Sequence, residues 1–166
     1  MSILFWDASA LAKRYVVEIG TEVVNSLFLD VSKPRMVGTV LGYAETHSVL
    51  LRHLNRGAIT YSSFVTSKTS LRVEVVISAD FELLTIDNET IYAGIAHCER
   101  YNVNANDGAI LAAYLRYIRM LPLPVSRCVL IASDQRLLVA AQAEGLITLD
   151  PERISAVDVP SLLAGL

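Results

Sequence analysis

Residues 3–14 read ILFWDASALAKR. Ile3-Leu4-Phe5-Trp6 is apolar without a break, whereas a strand with one wet face alternates apolar and polar residues. A continuous run belongs to a strand covered on both sides, as in a parallel sheet carrying helices on each face. The run stops at Asp7 and a first helix follows. The same pattern recurs along the chain. Short apolar runs stand at Met36–Thr39, Leu83–Ile86, Cys128–Ala132 and Leu146–Leu149. Between them, helical spacing covers Leu41–Leu54, Thr60–Ala79, Asn88–Tyr101, Asp107–Met120 and Gln135–Glu144. Strands alternating with helices imply right-handed crossovers and a parallel sheet. Gly57 and Gly145 supply helix stops, and Pro122 and Pro124 close the helix before the fourth strand. The expected fold is α/β, a three-layer α/β/α sandwich around about five parallel strands. No repeat, low-complexity segment or long linker divides the chain, so residues 1–166 are read as one domain.

Composition narrows the classes. A chain of 166 residues that is 53% hydrophobic and 19% charged can bury about 70% of its unfolded surface. No apolar run reaches the roughly 20 residues of a membrane span, and MSILFWDASA lacks the basic region and cleavage site of a signal peptide. Cys98 and Cys128 have no metal-ligand spacing and read as buried thiols of a cytoplasmic protein. The net charge of −3 does not suit a protein held to nucleic acid by a broad basic surface.

Four acids interrupt the apolar pattern. Asp7 ends the first strand run, and Asp134 closely follows the fourth. Glu45 shares a helical face with Leu41, Ser48, Val49 and Arg52, while Asp107 lines up with Ile110, Leu111 and Tyr114. Ligands of open parallel sheets gather at the carboxyl ends of the strands, where the strand order reverses. All four acids could gather at one such edge of the sheet. Each also has a plainer use: Asp7 as a helix N-cap, and Asp107 and Asp134 as acids favoured by a helix dipole. Glu45 lies too far inside its helix for that. Four converging carboxylates require a cation, because burial of an uncompensated charge costs several kcal/mol. Oxygen donors without His or Cys select a hard ion, Mg²⁺ or Mn²⁺. Asp7 and Asp107 are the first choices as direct ligands; whether one ion or two bind is left open. His47, His53 and His97 form no ligand pattern.

The segments FWDASALAKRYVVE, LGYAETHSVLLRHLNRGAIT, NANDGAILAAY and LIASDQRLLVAAQAEGLITLDPE occur in this order. Together they resemble the blocks of PIN-domain proteins of the VapC toxin type, with Thr60–Tyr101 the weakest part of the match. The resemblance places Asp7, Glu45, Asp107 and Asp134 on the family's metal-binding acids, and Ser133 on a Ser/Thr often found beside them. Gly108 departs from the alanine common after the third acid. The resemblance implies a PIN-like fold and metal-dependent hydrolysis of single-stranded RNA, leaving 5′-phosphate and 3′-hydroxyl ends. It also implies a cognate antitoxin whose tail fills the acidic site, and a homodimer.

Lys13, Arg14 and Arg52 are candidates to hold the RNA backbone, and Tyr15, Tyr43 and Tyr114 could stack bases. Against these stand salt-bridged surface charges and core aromatics. A binding-only PIN scaffold is the main alternative function. A phosphoacceptor receiver would need paired acids after the first strand and a late lysine, and both are missing. A dinucleotide-binding enzyme would need G-x-G-x-x-G there.

Overall fold

The computed structural model describes residues 2–31 and 35–165. Its strands are β1 (Ile3–Trp6), β2 (Met36–Thr39), β3 (Phe81–Leu84), β4 (Cys128–Ile131) and β5 (Ile147–Leu149). They pair in the order β3-β2-β1-β4-β5, parallel throughout. The chain steps outward from β1 to β3, then returns to the other side of β1 with β4. The order therefore reverses between β1 and β4, and the crevice expected at such a point opens at their carboxyl ends.

The unbroken apolar runs are explained by two cores. Leu4 and Trp6 of β1 and Val129 and Ile131 of β4 face one layer, while Phe5 and Leu130 face the other. The first layer holds α1 (Ala8–Leu11), α2 (Thr21–Asp30), α3 (Val40–Asn55), α4 (Tyr61–Leu71) and α8 (Val159–Gly165). The second holds α5 (Asn88–Tyr101), α6 (Ala105–Met120) and α7 (Gln135–Ala143). This is the PIN-like α/β/α sandwich. Among the described residues, no helix is long and apolar enough to cross a membrane.

Three local differences from the sequence reading have physical causes. The third strand lies two residues earlier than the run Leu83–Ile86, because Phe81 is buried and packs over Gly38 of β2. The helix expected over Thr60–Ala79 is α only to Leu71 and continues as a π-helical turn, Arg72–Ile77. In that turn Glu74 accepts from Arg14 Nη2 and the Tyr15 hydroxyl, both at 3.0 Å. Helix α2 follows Gly20, which stands at φ +90° and offers no side-chain cap. Gly57 and Gly145 do lie just past helix ends with positive φ.

Candidate active site

Asp7 is the residue at which β1 becomes α1. Its N–H still donates to the Ile131 carbonyl of β4 at 3.0 Å, while its Oδ2 caps α1 by accepting from the Ser9 N–H at 2.8 Å. The Ser9 hydroxyl donates to the same oxygen and accepts from the Ser133 N–H at 2.9 Å. Asp134 caps α7, accepting from the N–H groups of Arg136 and Leu137 at 2.9 and 3.1 Å. Asp7 thus does the capping work expected of it, and Asp134, expected as an acid favoured by the helix dipole, is a cap as well.

The other two acids are borne on helices. Asp107 lies in the first turn of α6, and Asn104 caps that helix in both directions. Its Oδ1 accepts from the Asp107 N–H at 2.9 Å, and its amide donates to Asp107 Oδ2 at 2.8 Å. Asn106 reaches across to α3 and donates to Glu45 Oε1 at 2.6 Å. Two turns along α6, the buried Tyr114 hydroxyl donates to the Trp6 carbonyl at 2.7 Å, tying α6 to the end of β1.

Gly108 has a structural role of its own. A Cβ there would lie 2.6 Å from the Gly94 carbonyl oxygen and 2.5 Å from Cys98 Sγ. A Cβ on Gly94 would lie 2.7 Å from the backbone nitrogen of Ala109. Helices α5 and α6 cross backbone to backbone at this pair, directly after Asp107. An alanine at position 108 would not fit this crossing, which accounts for the departure noted in the sequence. Cys98, expected to be buried, is only half-buried, and its thiol donates to the Asn104 carbonyl at 3.4 Å; Cys128 is buried.

The four carboxylates act on one another. Burial pushes Asp7 up, against the hydrogen bonds from Ser9 and Ala8, and the charge of Asp134 adds to the rise. Burial also raises Glu45; the Asn106 hydrogen bond opposes this, Asp7 reinforces it and Arg52 opposes it. Asp107 is pushed up to about 7, first by burial and then by the charges of Asp7, Asp134 and Glu45, with Arg136 as the opposing cation. Ionising Asp7, Glu45 and Asp107 together without an added positive charge is therefore unfavourable.

The donor set suits a hard cation. It consists of carboxylate oxygens, and beside them the Ser133 hydroxyl is buried with no hydrogen-bond partner. Among the described residues, no three His, Cys, Asp or Glu side chains stand arranged to enclose an ion by themselves. Each of the four carboxylates is instead held by the hydrogen bonds described above.

The basic candidates divide. Lys13, only 3% exposed, reaches Glu152 at 2.7 Å and Glu18 at 3.5 Å. Arg14 pairs with Glu74, donates to Asn25 at 2.8 Å and lies over the Phe28 ring. Both are committed to internal partners. Arg52 is exposed and sits beside Glu45. Arg136, which the sequence reading did not single out, is exposed in the first turn of α7. His47 lies against Phe64, His53 against Glu18 and His97 beside Glu144.

Comparison with known proteins agrees with this architecture. No family model and no curated protein matches the chain. Solved structures do. FitAcB from Neisseria gonorrhoeae superposes with a TM-score of 0.62 at 12% identity, over 92% of this chain and 100% of that one. VapC20 of Mycobacterium tuberculosis, a sarcin-ricin loop cleaving toxin, gives 0.62 at 14% identity, over 87% and 96%. A toxin-antitoxin complex from Klebsiella pneumoniae gives 0.57 at 16% identity, over 92% and 100%. At such identities the likeness defines the fold.

Proposed function

We propose that the chain is a metal-dependent endoribonuclease, the toxin of a toxin-antitoxin pair, built as one PIN domain over residues 1–166. The observation that supports this reading is the burial of Asp107 and its repulsion by Asp7, Asp134 and Glu45, with Asp7 and Asp134 following the strands between which the sheet order reverses. A fold that held these acids only as helix caps would have no reason to bury Asp107 among three like charges. The fold shared with VapC20 and with the Klebsiella toxin-antitoxin complex supports the toxin role.

In this reading Asp7 and Asp107 would hold Mg²⁺ or Mn²⁺ directly, and Glu45 and Asp134 would act through water or orient the nucleophile. The bound cation supplies positive charge against the phosphodiester and acidifies water for attack. The chain's own groups prepare the place. Ser9 and Asn104 fix Asp7 and Asp107, Asn106 fixes Glu45, and the Ser133 hydroxyl offers one more oxygen. Water adds to the phosphorus of single-stranded RNA and the 3′-oxygen leaves with a proton, giving 5′-phosphate and 3′-hydroxyl ends. The partners are a cognate antitoxin that covers the acids and a second copy of the chain, in the cytoplasm.

The test is cleavage of a mixed RNA pool by the purified protein with Mg²⁺ or Mn²⁺ and with EDTA, beside Asp7→Asn. Metal-dependent cutting that vanishes in the variant is the expected result. Cutting that survives Asp7→Asn would refute the assigned site. No cutting, with metal still bound, would favour the binding-only scaffold, which draws support from the carboxylates' internal hydrogen bonds.

A further inference from the structure

We propose that Arg136 joins Arg52, already a candidate from the sequence, in gripping the phosphates of the RNA strand on either side of the acid cluster, in place of Arg14. The inference rests on the nuclease reading and assigns its substrate-holding groups. It starts from a difference in commitment. Lys13 and Arg14 are used up inside the fold by Glu152, Glu18, Glu74 and Asn25. The guanidinium groups of Arg100, Arg116 and Arg153 likewise close ion pairs. Among the described residues, those of Arg52 and Arg136 close none and are exposed; the same holds for Arg56, Arg72, Arg119 and Arg127, but only Arg52 and Arg136 act on the four acids.

Their placement is specific. Arg136 is the second residue of α7, and its own N–H is bonded to Asp134. Arg52 lies two turns beyond Glu45 on α3, about 10 Å along the helix axis. The two come from opposite layers of the sandwich, and each acts on a different acid: Arg52 on Glu45, and Arg136 on Asp107. A polyanion approaching four carboxylates is repelled unless cations flank its path. A guanidinium with no internal partner keeps its planar fork available for two phosphate oxygens. Arg119, exposed in the last turn of α6, serves as a control outside the site.

The experiment measures binding of a labelled mixed-sequence single-stranded RNA in the Asp7→Asn background with Mg²⁺, across a salt series. Cleavage by the otherwise wild-type chain is followed in parallel. Arg136→Ala and Arg52→Ala should each weaken binding about tenfold. Each should also reduce the slope of log affinity against log salt by about 0.7, one phosphate contact on a single strand. Arg136→Lys should regain the slope but only part of the affinity, and Arg119→Ala should change neither. If the parent chain cuts RNA while Arg136→Ala binds and responds to salt as its parent does, the proposal is overturned and the nuclease reading stands. A shift in the Mg²⁺ requirement of Arg136→Ala with unchanged RNA binding overturns it too, because the guanidinium is then an internal counter-charge. A parent that neither binds nor cuts RNA removes both.

Discussion

The two ends of the first helical segment treat charge in opposite ways. At its start, Asp7 is buried among three other acids and gains only hydrogen bonds. At its finish, Lys13 is equally buried but lies between Glu152 and Glu18, and Glu18 in turn meets His53 at 2.9 Å. Arg14 beside it is matched by Glu74. The compensated end is what stability alone produces, since a buried charge persists when paired. The uncompensated end is tolerated for another reason. In the proposed reading, its excess charge is where an external cation would bind.

The strongest way to break this contrast is at Asp7. Asp7→Asn should lower RNA cleavage by roughly 100-fold or more, measured as the initial rate on a defined single strand. At neutral pH and without metal, the same variant should melt no lower than its parent, because a repelled charge has gone. Loss of both activity and stability would place Asp7 with the structural charges instead.

A steric change comes next. Gly94→Ala drives a methyl group into the backbone of Ala109, and overpacking of this kind costs about 3 kcal/mol. Urea unfolding should show the loss as a lower midpoint. Lys13→Met attacks the compensated end and should cost about 2 kcal/mol, below the figure for a fully buried pair because Glu18 and Glu152 are 32% and 40% exposed. A variant that unfolds at the parental midpoint would show that the acids at this end need no partner.

The smallest effect sharpens the contrast through pH. Asp107 binds its proton up to about 7 in the folded chain but only near 3.8 as a free side chain. Between those values the folded state holds the extra proton, so stability falls as pH rises through the window and is lowest above it. Thermal melting of the metal-free protein should show this decline, and Asp107→Asn should flatten it. Mg²⁺ added above pH 7 should raise the melting temperature of the parent more than that of the variant.

Much of this was legible in the chain. Unbroken apolar runs gave the parallel sheet, because β1 and β4 feed two cores with alternate residues. The capping position of Asp7, and the places of Asp107 and Asp134 at helix starts, could be read from the sequence. Helix α2 was not legible, since it begins at a glycine without a capping side chain and leaves Leu29 81% exposed. The π-helical turn was hidden as well, because Glu74 meets Arg14 and Tyr15 only in the folded molecule. The same applies to the site. Asn106 bonding Glu45, Arg136 acting on Asp107 and the fit of Gly108 against Gly94 are contacts across the fold, which spacing along one helix does not register.

The strand order also sets a schedule. One side of β1 pairs with β2, which follows soon after it, while the other waits for β4. Asp7 precedes Asp134 by more than a hundred residues, and the pairing of β1 with β4 that joins them closes a long loop. Long-range pairings of this kind form late, because closing the loop precedes any gain from the contact. A growing chain on the ribosome therefore carries Asp7 before Asp134 exists to stand beside it. In the proposed nuclease reading, the acid cluster therefore stays incomplete until β4 and the residues after it have been made.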